Sequence, residues 1–166
     1  MLKTLQAINA FLKEAILWLA TIIVAIIVLA LFLSAFTRYV SGVGYDWFIE
    51  LPPVLTSWLV FPLIGPLLIE GKHIKVDFIS SYIGEKNKSK LRLFVAVIAL
   101  LSGIIFFKAG VEATQLYFNL GQKMELEIDI PIWWMYLAFP IGFLILILFS
   151  IQMICEELFV SSKDSS

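Results

Sequence analysis

From Ala15 to Thr37 the chain runs for 23 residues without a charged side chain, closed by Glu14 on one side and Arg38 on the other. A helix of about 20 apolar residues crosses the hydrocarbon core of a bilayer. A second run, Ile132 to Cys155, is equally clean between Asp129 and Glu156. Two more are apolar but interrupted. Trp47 to Ile69 carries Glu50 near its start, and Leu93 to Tyr117 carries Lys108 and Glu112 late in its length. The sequence therefore predicts an all-α integral membrane protein with four transmembrane helices, at about 15–37, 47–69, 93–117 and 132–155.

Composition agrees with that reading. The chain has 166 residues, of which 15% are charged and 61% hydrophobic. A soluble domain carries about 25% charge, and no soluble domain fits in loops this short. A single membrane domain over residues 1–166 is expected. The first apolar run is too long for the core of a cleavable signal, and no small-residue cleavage site follows it. The net charge of −1 offers no basic excess for nucleic acid.

Orientation follows from lysine and arginine in the short loops. With four spans, both ends of the chain and the loop between the second and third spans share a side. Lys3, Lys13, Lys72, Lys75, Lys86, Lys88, Lys90, Arg92 and Lys163 lie there, against Arg38, Lys108 and Lys123 on the other. Both termini are expected in the cytoplasm. Tyr39, Tyr45, Trp47, Trp133 and Trp134 would form an outer aromatic belt, with Trp18 on the inner side. Leu5, Ile8 and Leu12, and later Phe78, Ile79, Tyr82 and Ile83, repeat at helical spacing. Each set predicts a short amphipathic helix on the membrane surface. Glu85 to Lys90, "EKNKSK", reads as a solvated connector between them and the third span.

Ionisable groups inside spans default to a functional hypothesis. Lys108 lies 15 residues past Leu93, about 22 Å along a helix, which places it in the outer third. Arg38, Glu50, Lys108 and Glu112 then share one outer layer. Lys108 and Glu112, at i and i+4, can pair, and Arg38 can pair with Glu50 across the first hairpin. Structural ion pairs and snorkelling ends account for this layer. A proton or ion path would need carboxylates spread through the bilayer depth, and the inner part of every span has none. Pro52, Pro53, Pro62 and Pro66 with Gly65 mark the second span as a kinked packing helix, the first two prolines falling where a helix start tolerates them.

The inventory offers no catalytic set and no cofactor or metal site. His73 is the only histidine and Cys155 the only cysteine, so axial haem pairs, zinc clusters and a Ser-His-Asp arrangement are all out of reach. Glu70, Lys72, Lys75 and Asp77 surround His73 in a polar knot, "EGKHIKVD", directly after the second span. It reads as the cytoplasmic end of that span turning into a surface helix. His73 and Asp77 would fix the turn by hydrogen bonding, and Lys72 and Lys75 would meet lipid headgroups.

Trp47, Glu50 and Trp58 with "WLVF", then "GKHIKVDF", then "IPIWWMY" together resemble the small membrane subunit of tripartite ATP-independent periplasmic (TRAP) transporters, the DctQ-like proteins. Arg38 after the first span matches an arginine often found there. One departure is visible. The family often has a Gly-Ala pair about ten residues before the histidine. Here Leu63 and Ile64 stand there and Gly65-Pro66 follow, so the close helix packing expected at that glycine is shifted or lost. The resemblance implies a scaffold in a bacterial inner membrane. Its partners would be a large multi-spanning subunit, one per copy, which holds the substrate and sodium sites, and a periplasmic solute-binding protein; lipids would surround it. The imported solute would be an organic acid such as sialic acid or a C4-dicarboxylate. Arg38, Trp47, Glu50, Trp58, His73, Asp77, Lys108 and Glu112 are the structural or subunit-contact candidates. The competing reading is a self-sufficient four-helix transporter acting as a homo-oligomer. Such a protein uses a carboxylate near mid-span, whereas Glu50 and Glu112 lie near the outer edge.

Overall fold

The computed structural model describes residues 2–70, 85–124 and 129–163. These residues are overwhelmingly helical. Helix α1 spans Leu2–Ser41, α2 Trp47–Ile69 and α3 Glu85–Leu120; the short α4, Ile132–Tyr136, leads into α5, Ala138–Lys163. All four predicted spans are present as helices long and apolar enough to cross a membrane.

Three boundaries differ from the sequence reading. Helix α1 is continuous for 40 residues, about 60 Å, so Leu5, Ile8 and Leu12 are not a separate surface helix. Leu12 packs on the core cluster of Ile16, Ile145 and Phe149, and burying this face stabilises the continuation of the helix. Likewise Glu85 to Lys90 is no connector but the first turns of α3. The fourth span is split at Leu137. Pro140 lacks the N–H that would bond the Tyr136 carbonyl, which loosens the ladder at that point. The second amphipathic stretch, Phe78 to Ile83, lies outside the described residues, as do His73, Asp77, Lys72 and Lys75 of the polar knot.

Glycines end the two longest helices. Gly42 and Gly121 follow α1 and α3 with φ of 69° and 61°, the left-handed conformation that closes a helix and that a side chain would strain. Their N–H groups bond the carbonyls of Arg38 and Phe118 at 3.2 Å. Beyond Gly121 the described residues on either side of 125–128 pair as an isolated antiparallel bridge between Lys123 and Pro131. Met124 N–H bonds Ile130 O at 2.9 Å, and Lys123 pairs with Asp129 at 2.8 Å.

The helices pack as a row in the order α1, α2, α5, α3. α5 is clasped between α2 and α3. α1 lies on the far side of α2 and reaches α5 mainly through its first turns. α1 and α3 stand at the two ends of the row and share no packed face. Burial follows this order. In the most apolar stretch of each helix, 39% of α5 residues are buried, 28% of α2, and 17% of α1 and of α3.

Small residues set the spacing within the row. A Cβ on Gly142 would lie 2.5 Å from the Phe61 carbonyl oxygen, and one on Gly65 would lie 2.8 Å from Ile145 Cγ2. α2 and α5 therefore meet almost backbone to backbone, with Pro62 and Pro66 buried in the seam. The departure from the usual Gly-Ala pair is thus met two residues later, where Gly65 makes the close approach. α2 stays helical through all four prolines. On the other side of α5, Gly103 and Gly110 of α3 fit against Ile147 and Pro140.

Candidate functional site

Two polar groupings stand out against the apolar helices. The first lies at the end of the row where α1 begins and α5 finishes, here the lower end. Asn9 is 1% exposed. Its Nδ2 donates to Leu148 O at 3.2 Å and to Gln152 Oε1 at 2.7 Å. Gln152 and Gln6 both donate to Glu156 Oε1, at 2.8 and 2.9 Å. One turn of helix places Gln6, Asn9 and Lys13 along a common face of α1, and Gln152 and Glu156 along a common face of α5. Asn9 Oδ1 is buried without a partner, but a buried amide N–H left unbonded would cost about 1–3 kcal/mol, so the two bonds from Nδ2 fix how α1 crosses α5.

The neighbouring side chains extend this layer. Glu157, 8% exposed, accepts from Ser89 Oγ at 2.6 Å and pairs with Arg92 Nε at 2.7 Å, tying α5 to the start of α3. Lys13 pairs with Glu70 at 2.7 Å, tying α1 to the end of α2. All four long helices are thus joined at one end by polar contacts. Sequence reasoning missed this layer because it searched for charges within the spans. The signal was present in Gln152, an amide inside an otherwise apolar run, and in Gln6, Asn9 and Lys13 at helical spacing.

The second grouping contains the candidates read from the sequence. Lys108 and Glu112 lie on α3 with their charges 3.9 Å apart and side chains 81% and 67% exposed. They flank Gly110, which packs on Pro140 of α5, and point away from that contact. Arg38 ends α1, with its guanidinium laid over Gly44. Glu50 sits half-buried in the first turn of α2. Arg38 and Glu50 therefore belong to the α1–α2 hairpin, while Lys108 and Glu112 belong to the opposite edge of the row. The structure does not bring the four into one cluster. Trp47 stacks on Phe48 at 3.9 Å. Trp58 donates its indole N–H to Trp134 O at 3.2 Å and packs on that ring, fastening α4 to α2. His73 and Asp77 lie outside the described residues.

An open groove of about 580 Å³ runs between α1 and α2, lined by Leu17, Thr21 and Val24 on one side and by Leu59, Leu63 and Leu67 on the other. Its hydroxyl, Thr21 Oγ1, is already bonded to Leu17 O. The lining offers nothing to hold a charged solute. Among the described residues no three histidine, cysteine or carboxylate side chains converge where a metal ion could sit.

Four spans set in an open row, joined by polar contacts at the lower end and with apolar faces turned outward, define a multi-pass membrane protein built to be surrounded. The family model for the DctQ component of tripartite ATP-independent periplasmic transporters matches residues 27–160, and the chain belongs to that family. The match takes in the "WLVF", "GKHIKVDF" and "IPIWWMY" segments. The protein is a small membrane component of a TRAP transporter. Comparison with curated proteins gives no match.

Proposed function

We propose that this chain is the scaffold subunit of a sodium-driven, binding-protein-dependent importer of an organic acid, such as sialic acid or a C4-dicarboxylate. It stabilises a large multi-spanning transport subunit, one to one, in a bacterial inner membrane, with both termini in the cytoplasm and residues 1–166 as a single membrane domain. A periplasmic binding protein delivers the solute, and this chain does not bind it. Arg38, Trp47, Glu50, Trp58, His73 and Asp77 act in holding the helix ends and subunit contacts.

The observation that carries this reading is the open row itself. α1 and α3 leave most of their apolar surface uncovered, which suits helices meant to lie against another membrane protein and lipid. A self-sufficient transporter would place an ionisable group inside the helix packing near mid-span. The buried carboxylate among the described residues, Glu157, is instead tied to Ser89 and Arg92 at the lower end.

Co-expression with the large membrane protein tests the proposal. A tag on this chain is expected to capture the large chain as a particle of one copy each. Purification of this chain alone as a closed homo-oligomer, with the large chain left behind, would overturn it.

A further inference from the structure

The two edges of the row differ in chemistry. The outward face of α1 carries Trp18, Ile22, Leu29 and Phe32, all more than half exposed. It presents nothing that hydrocarbon cannot accept. The outward face of α3 begins the same way, with Leu101 57% and Ile105 66% exposed. It then continues through Lys108, Glu112, Gln115 and Asn119, all exposed. These six residues recur at spacings of four and three, the seam along which one helix seats against another. Over 18 residues the seam runs about 27 Å. It lies opposite the face on which Gly103 and Gly110 pack against α5.

Lys108 lies in the outer third of the span, short of its end. Twelve residues of α3 follow it, about 18 Å of helix. Its level is that of Gly110, Pro140 and Phe139, and the Phe139 ring packs tilted against Phe61 in the body of α2. A charged side chain at the depth of Lys108 faces a protein interior or water rather than lipid tails, and Glu112, Gln115 and Asn119 carry the polar seam from there toward the outer end of the helix. The ion pair on α3 is loose at 3.9 Å. Neither the Gln115 nor the Asn119 side chain is hydrogen-bonded to another described residue.

We propose that the free edge of α3, from Leu101 to Asn119, is the docking seam for a transmembrane helix of the large subunit, while the α1 edge faces lipid. This rests on the scaffold reading above. The partner helix presents apolar side chains against Leu101 and Ile105, a carboxylate or carbonyl acceptor toward Lys108, and donors toward Glu112 and the two amides. A second copy of this chain fits less well. Its α3, necessarily parallel in the membrane, would set Lys108 against Lys108 and Glu112 against Glu112 at the same heights.

Nitroxide labels test the seam in nanodiscs. They are placed singly at Leu101→Cys, Ile105→Cys, Ile22→Cys and Leu29→Cys, in a Cys155→Ala background. Oxygen accessibility is read for this chain alone and for the complex with the large subunit. Accessibility at 101 and 105 is expected to fall several-fold on complex formation and to stay unchanged at 22 and 29. Replacing both Lys108 and Glu112 by Leu is expected to weaken the complex about tenfold or more while this chain alone stays folded. A complex that forms with 101 and 105 still open to oxygen overturns the seam and leaves the scaffold reading standing. Labels at 101 and 105 that are shielded and spin-coupled without the large subunit assign the edge to a second copy. Failure of the unsubstituted chain to form any complex removes both proposals.

Discussion

A single amide on the first helix decides how α1 meets α5. Asn9 is buried and gives both its protons away, to Leu148 O and Gln152 Oε1. Asn9→Ala is expected to lower stability by about 1–2 kcal/mol, because the Gln152 acceptor stays buried and loses its donor. Unfolding in detergent mixed with dodecyl sulfate would measure this; a loss under about 0.3 kcal/mol would show that the contact is incidental. Lys108→Ala makes the contrast. Its pair with Glu112 is exposed and long, so the isolated chain is expected to change by no more than about 0.5 kcal/mol. The sequence ranked these residues the other way round. A charge inside an apolar run is conspicuous, whereas an uncharged amide near a helix start is not. What makes Asn9 matter is the carbonyl and the glutamine brought to it from more than 130 positions away.

At the scale of helices, the seam between α2 and α5 depends on the missing side chain of Gly142. An alanine there would push its Cβ into the Phe61 backbone, 2.5 Å from the carbonyl oxygen. Backbone cannot rotate aside, so the helices must separate. Gly142→Ala is expected to cost about 1–3 kcal/mol from overpacking, more than alanine returns through its helix propensity of about 1 kcal/mol. Gly103→Ala is expected to be neutral or slightly stabilising, since its nearest neighbour is the side-chain carbon Ile147 Cγ1 at 3.0 Å, which can turn away. Thermal unfolding of the two variants in detergent would separate them; equal stability would contradict a backbone-to-backbone seam. The spans themselves were legible, because twenty apolar residues in a row have few other fates. Their ends were not. Apolar patterning stops at the membrane edge, but α1 and α3 continue past it, held by Leu12 on the core and by Ser89 and Arg92 on Glu157. The break at Leu137 follows from Pro140, whose effect appears one turn before it.

The whole molecule is a row of four helices with two different edges, and that arrangement was not legible from the sequence. A helix that is apolar all round has no stripe to name its neighbours. The close packing of α2 and α3 on the two sides of α5 is set by where glycines permit approach, at Gly65, Gly142, Gly103 and Gly110. The family, by contrast, was legible in short segments such as "WLVF" and "IPIWWMY", which lie within the matched residues. The central claim is that such a row supports transport without carrying the solute. Its most direct test is uptake of organic acids into liposomes under a sodium gradient, with the matching binding protein outside. Three preparations are compared: this chain alone, the large membrane chain alone, and the two together. Uptake only when both are present is the predicted result. Uptake by this chain alone would contradict the account and would make Glu50, Lys108 and Glu112 part of a solute path.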